Sequence, residues 1–325
     1  MTLHRRRFLQ IAASAAALPA LPRIAAARAY PTSPVRIIVG YPAGGGNDII
    51  ARLIGQRLSE GLGQQFIVEN RPGAASNIGT EAVVRSSPDG YTLLCLDAAA
   101  AINATLYDNL GFNFIRDVAP VASLMRAASG IVVHPSVPAK TVPEFIAYAK
   151  ANPGKINMAS GGIGTPGHVA GELFKIMAGV DLVHVPYRGL APALTDLFSG
   201  QVHVLFSAIT SSIEYIRTDR LRILAVTSAT PHDDLPNVPT VGEFLSGYEA
   251  SNWYGIGAPK NTPADIIGKL NSQINVALTD PKMRRRLAEL GGTVSPSSPT
   301  DFGRLIADET EKWRKVIRSA NIKLG

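Results

Sequence analysis

Two short stretches of this chain carry residue types suited to holding an anion. The first is Ala43-Gly44-Gly45-Gly46-Asn47-Asp48, and the second is Ser160-Gly161-Gly162-Ile163-Gly164-Thr165-Pro166-Gly167-His168. Each lies between an apolar run and an amphipathic one, where a strand ends and a helix begins. Glycines let a backbone approach a ligand closely, and a helix start presents unpaired N–H groups and a positive dipole end. The second loop adds hydroxyls to the same layout. Two such loops can each hold one anionic group of a single ligand. Every feature also has a plainer use. A glycine-rich turn before a helix serves tight packing, Asp48 can cap its helix, and His168 can donate a hydrogen bond within its own lobe.

Catalytic readings find less support. Gly162-Ile163-Gly164-Thr165-Pro166-Gly167 fits the dinucleotide pattern G-x-G-x-x-G, but the acidic residue that should close the next strand is missing. Asp181 precedes that strand, which ends in Pro186-Tyr187. The first loop lacks a Lys-Ser/Thr ending, so it is no Walker motif. The chain has no G-x-S-x-G, no H-E-x-x-H and no histidine pairing with metal-ligand spacing. Cys95 is the only cysteine, which excludes a disulfide framework and a cysteine metal cluster.

The elements that must position these loops read as alternating strands and helices, the pattern of parallel α/β sheets. V-R-I-I-V-G (35–40), Q-F-I-V-E-N (65–70) and Y-T-L-L-C-L (91–96) read as buried strands. Ile50, Leu53, Ile54, Leu58 and Leu62 form one helical stripe, and a second helix runs near Ile78 to Arg85. A second series starts near residue 130: G-I-V-V-H-P, a helix Val142–Ala151, K-I-N-M-A-S and a helix from Pro166. It continues through L-V-H-V-P-Y, a helix from Ala191, V-H-V-L-F-S and L-R-I-L-A-V-T-S. Apolar stretches at 121–133 and 250–259 read as chain crossings between two lobes. From Thr262 onward the pattern is almost wholly helical, with Pro263 and Pro281 at helix starts.

The first 29 residues read as an export signal: Arg5-Arg6-Arg7, an apolar stretch Phe8–Leu21, and Ala27-Arg28-Ala29 as a cleavage site. The run R-R-R-F-L-Q resembles the twin-arginine export motif, and an ordinary Sec signal with a basic head stays open beside it. Removing this signal takes five arginines away, leaving 27 basic residues against 25 acidic ones. A mature charge of about +2 gives no nucleic-acid footprint. Arg284-Arg285-Arg286 reads as a solvated helix face, and no later stretch is long and apolar enough to span a membrane.

Ordered blocks along the chain resemble the Bug family of extracytoplasmic solute receptors, the binding proteins of tripartite tricarboxylate transporters. They are Y-P-A-G-G-G-N-D-I-I-A-R, V-E-N-R-P-G-A-A-S-N-I-G, S-P-D-G-Y-T-L-L, A-S-G-G-I-G-T-P-G-H-V-A-G-E-L-F, H-V-P-Y-R-G-L-A-P-A-L-T-D-L, L-R-I-L-A-V-T-S and L-P-N-V-P-T-V-G-E-F. The resemblance implies an α/β type II periplasmic-binding-protein fold: two lobes joined by two crossing strands, with a helical C-terminal tail. Lobe 1 is expected over 30–128 and 251–325, and lobe 2 over 129–250. It implies a monomeric periplasmic receptor, with no cofactor and no catalysis, that passes a small organic carboxylate to membrane components of the transporter. Ligand contacts are implied at Gly44, Gly45, Asn47, Asp48 and Asn77 in lobe 1. In lobe 2 they are implied at Ser160, Gly161, Gly164, Thr165, His168 and Ser207. Ser207 stands where the family usually has an acidic residue. The loss of that carboxylate removes a partner for a ligand ammonium group and favours a plain mono- or dicarboxylate. Two other classes stay open: a binding protein for a sensor kinase, and an enzyme exported with its cofactor.

Overall fold

The computed structural model describes residues 30–107 and 109–324. The expected export signal and its cleavage site lie outside these residues.

The first series of buried apolar runs forms β1 (Val35–Val39), β2 (Phe66–Asn70) and β3 (Thr92–Asp97). β1 pairs in parallel with both others, and every residue of β1 except Arg36 is buried. β4 (Val118–Ala127), β10 (Asn252–Pro259) and β11 (Gly292–Val294) complete a six-stranded sheet ordered β11-β4-β10-β3-β1-β2. The second series gives β5 (Ser129–Val133), β6 (Asn157–Ser160), β7 (Val183–Pro186), β8 (Val204–Ala208) and β9 (Arg222–Val226). They form a five-stranded sheet ordered β7-β6-β8-β5-β9.

Helices return the chain from strand to strand. α1 (Gly46–Leu62) follows β1, and Ile50, Ile54 and Leu58 are fully buried against Val35, Ile37 and Val39. α2 (Asn77–Val84) and α3 (Ala98–Leu106) follow β2 and β3, and the short α4 (Phe114–Asp117) leads into β4. In the second lobe come α5 (Val142–Ala151), α6 (Pro166–Ala178), α7 (Leu190–Phe198) and α8 (Ile209–Arg217). The tail forms α9 (Ala264–Thr279), α10 (Pro281–Glu289) and α11 (Pro299–Ser319). Arg284, Arg285 and Arg286 are exposed on α10, as a solvated face requires.

Two stretches expected as crossings are mostly interior strand. β4 runs on to Ala127 and β5 begins at Ser129, so the first crossing is Ala128 alone. β10 lies between β4 and β3, and the second crossing shrinks to Ala250–Ser251. There the Ala250 N–H donates to the Thr227 carbonyl at 2.9 Å and the Thr227 N–H to the Ser129 carbonyl at 2.8 Å. The two crossings therefore run side by side. A connecting strand and a core strand share one continuous apolar signature, so sequence pattern alone merges them. The helical tail is interrupted once, by β11, which adds an edge to the first sheet.

Candidate functional site

The first glycine loop leaves β1 and enters α1 with Gly44, Gly45 and Gly46 exposed. Gly44 holds φ +84, a left-handed backbone that glycine adopts freely. A side chain at Gly45 would meet only the Pro42 carbonyl, at 3.6 Å, so close packing does not explain this glycine. The loop is held from behind. Asp48 is buried and accepts from the Gly44 N–H, from Nε and Nη2 of Arg52, and from Asn70 Nδ2, each at 2.9 Å. The Arg52 guanidinium is the main reason its carboxyl titrates at about 2. With both oxygens engaged, Asp48 is the loop's anchor.

Asn47, beside it, is buried and donates from Nδ2 to Asp97 Oδ2 at 3.0 Å, while its Oδ1 has no partner. Asp97 ends β3 and caps α3, accepting at Oδ1 from the Ala99 N–H (3.2 Å) and the Tyr41 hydroxyl (3.1 Å). Burial raises the Asp97 carboxyl above its ordinary value, and the donors from Asn47, Tyr41 and Ala99 oppose that shift.

Asn77 opens α2 after a strained turn. Ala74, Ala75 and Ser76 hold φ values of 46°, 51° and 76°, three consecutive non-glycine residues in the left-handed region. Two things fix the turn. Ser76 packs on Gly40, where an added Cβ would lie 2.5 Å from the serine Cβ. Asn103 of α3 donates from Nδ2 to the Ala75 carbonyl at 2.7 Å and to Asn77 Oδ1 at 3.2 Å. The Asn77 Nδ2 is buried without a partner.

The second glycine loop is packed rather than open. A Cβ at Gly161 would lie 3.3 Å from the Leu190 N, and one at Gly164 would run into Leu106 of α3. Ser160 is wholly buried, and its Oγ lies 2.7 Å from His184 Nε2 and 3.1 Å from the Gly162 carbonyl. Thr165 caps α6, accepting from the His168 N–H, while its hydroxyl donates to the Gly162 carbonyl at 2.8 Å. The Gly164 N–H donates to His168 Nδ1 at 3.0 Å, so the neutral ring carries its proton on Nε2. His168 stacks on His184 with ring centroids 3.6 Å apart. Burial first, and then the neighbouring His184, pulls the His168 pKa down to about 3; burial and Lys175 bring His184 to about 4.

Two of the contacts that join the lobes involve glycines, and of the residues expected at the ligand site only Gly164 takes part in either. Gly164 abuts Leu106, and Thr210 of α8 abuts Gly291 beyond α10. Between them lies a cavity of about 210 Å³, lined on one side by Gly46 and Tyr254 and on the other by Ala208 and Thr210. Ser207 is buried in β8 opposite Gly130, and the next residues line the cavity in its place. Trp253 is fully buried and packs edge-on against Phe302, a core position. Sequence reasoning missed Tyr41, Asp97, Asn103, Thr210 and Tyr254. Only Asp97 left a readable trace, as an aspartate directly before a run of alanines, the place of a helix cap.

Two sheets, two adjacent crossings and facing strand-end loops define a solute receptor of the periplasmic-binding-protein fold. The tripartite tricarboxylate transporter family receptor profile (TctC) matches residues 50–322, and the chain belongs to this family. BugT of Bordetella pertussis is 34% identical over 298 residues, covering 91% of this chain and 91% of that protein. Among solved structures, R. palustris Rpa4515 with adipate aligns with a TM-score of 0.77 at 35% identity, over 90% of this chain and 99% of that one. MatC (Rpa3494) from Rhodopseudomonas palustris with bound malate aligns with a TM-score of 0.73 at 29% identity, over 89% and 100%. The family and fold implied by the sequence blocks are thereby confirmed.

Proposed function

We propose that the protein captures a small organic carboxylate between its lobes and delivers it to membrane components of a tripartite tricarboxylate-type transporter. One observation carries this reading. Of the six helices that start at strand carboxyl ends, α1 and α2 on one sheet and α7 and α8 on the other begin with no side-chain cap, while α3 and α6 are capped by Asp97 and Thr165. Among helices elsewhere, α5, α10 and α11 are capped by Thr141, Asp280 and Ser298, and α9, which follows Pro263, is not. Uncapped first turns leave N–H donors and positive dipole ends free for an anion. Two lobes offering such ends suit a ligand with two anionic groups, as adipate and malate have. In this reading lobe 1 is 30–128 with 251–325, and lobe 2 is 129–250. Gly44, Gly45, Asn47 and Asn77 meet the ligand from lobe 1. The Ser160–Thr165 loop and the Ser207–Thr210 segment meet it from lobe 2, while Asp48 and His168 hold their loops in place. The protein acts as a periplasmic monomer after cleavage near Ala29, without catalysis.

A thermal-shift screen of the mature protein against organic acids tests this. A ligand at 100 times its dissociation constant stabilises by about 2.7 kcal/mol. A melting temperature unmoved by every mono-, di- and tricarboxylate at millimolar concentration would overturn the reading.

A further inference from the structure

The cavity between the lobes is lined where two uncapped helices begin. Gly46 is the first residue of α1 and Thr210 lies in the first turn of α8, so each lobe brings one helix start to it. Tyr254 of β10 lines the same cavity, with its hydroxyl 3.9 Å from where a Cβ on Gly46 would lie. A chain of hydrogen bonds fixes the sense of that hydroxyl. The Ala98 N–H at the start of α3 only donates, so the Asn252 atom facing it at 3.3 Å is Oδ1. Asn252 therefore turns its NH2 to the Tyr254 oxygen, at 2.9 Å. That oxygen accepts on the sheet side, and its proton is left over. Among the described residues, the Tyr254 hydroxyl donates to nothing. Burial, with Asp97 nearby, holds its pKa well above the ordinary value, so the group is a donor at every working pH.

We propose that Tyr254 donates this proton to the ligand carboxylate, which sits in the cavity between the starts of α1 and α8. Each start adds backbone N–H donors and a positive dipole end. Ile50, Met125 and Leu290 give the cavity an apolar wall, which suits a hydrocarbon body and strengthens the charged hydrogen bond. Glu289, the one acidic residue in the lining, is paired with Arg286. Asn252 touches no ligand. It is a positioning residue that occupies the tyrosine oxygen and leaves the proton free. This inference rests on the carboxylate-receptor reading above and adds to it a contact from β10, three residues past the second crossing. Ala128, the whole of the first crossing, lines the same cavity, so the carboxylate lies against the joint between the lobes.

Calorimetry with adipate, malate, citrate and benzoate tests it. Tyr254→Phe keeps the ring and removes only the hydroxyl. For whichever acid binds the unaltered protein most tightly, affinity should fall about ten- to a hundredfold, one charge-assisted hydrogen bond. Asn252→Asp keeps the tyrosine and offers it a second acceptor. One carboxylate oxygen still accepts from Ala98, and the other draws the Tyr254 proton away from the cavity. Binding should weaken by a similar factor, and the same change made on top of Tyr254→Phe should cost little more. Repulsion of the acid by the new charge, or a loosened strand, would cost as much in both backgrounds, and that result overturns the role of Asn252. Unchanged affinity in Tyr254→Phe overturns the whole inference and leaves the receptor reading intact. Should that variant fold poorly, unchanged affinity in Asn252→Asp overturns it equally. If none of the four acids binds the unaltered protein at millimolar concentration, the receptor reading falls and takes the inference with it.

Discussion

The two glycine loops share a layout in sequence and differ in physics. The loop at 43–48 is open in front and held behind by a charge, with Asp48 clamped by Arg52 and Asn70. The loop at 160–168 is closed in by neighbours and held by neutral groups: the Thr165 cap, the Ser160–His184 contact and the His168 ring. In the first loop, glycine supplies a left-handed turn at Gly44 beside open space. In the second, glycine lets the protein reach itself. One motif thus serves two purposes, and the surroundings decide which.

The largest test of this contrast is steric. A Cβ at Gly167 would strike the Phe206 carbonyl of β8, a backbone atom that cannot swing aside. Gly167→Ala should therefore cost about 3 kcal/mol of stability by overpacking. Gly45→Ala should change stability by less than about 0.5 kcal/mol, because φ there is −79° and the space is open. Urea denaturation of the two variants reads the difference, and equal losses would dissolve the distinction.

The charged clamp comes next. The folded pKa of Asp48, about 2, lies below its unfolded value of about 3.9, so its contribution is present above pH 4 and lost as pH falls through 2. Asp48→Asn should cost about 2 kcal/mol at pH 7, discounted because Arg52 is half-exposed. That cost should fade between pH 4 and pH 2, and a constant cost would argue against the ion pair.

The neutral clamp fails in a different window. His168 stays uncharged when folded, with a pKa of about 3, while the unfolded chain takes up its proton below about 6.5. Its stability contribution is therefore full above pH 6.5 and drains away as pH falls toward 3. At pH 5.5 His168 should account for a loss of about 1.4 kcal/mol relative to pH 7.5, with a comparable loss from His184 beside it, so His168→Gln should remove about half of the total. Asp48→Asn should leave this window untouched. Denaturation midpoints of the three proteins at both pH values separate the clamps.

Among the variants expected to lose stability, Thr165→Val should lose the least. It deletes the α6 cap and the hydroxyl donated to Gly162 at nearly constant volume, for about 1 kcal/mol. Thermal denaturation of the free protein checks this, and no loss would mean the cap is idle.

The sequence by itself determined the alternation of strands and helices, the places of both loops, and the helices from Val142, Pro166 and Pro281. Those features are local: periodicity, a proline at a helix start and a glycine cluster act within a few residues. Ordered blocks along most of the chain also sufficed to name the family. Only the tertiary structure decided which glycines are crowded, since the crowding atoms on Leu106 and Phe206 belong to elements 58 and 39 residues away. It alone showed that Asp48 and His168 face their own loops. It also turned the amides of Asn47 and Asn77, because their anchors Asp97 and Asn103 lie 50 and 26 residues along the chain. α3, which carries Asn103 and follows directly from Asp97, is buried on nearly every side. A helix covered all round shows no polar face, and so leaves no period for a reader of the sequence to find.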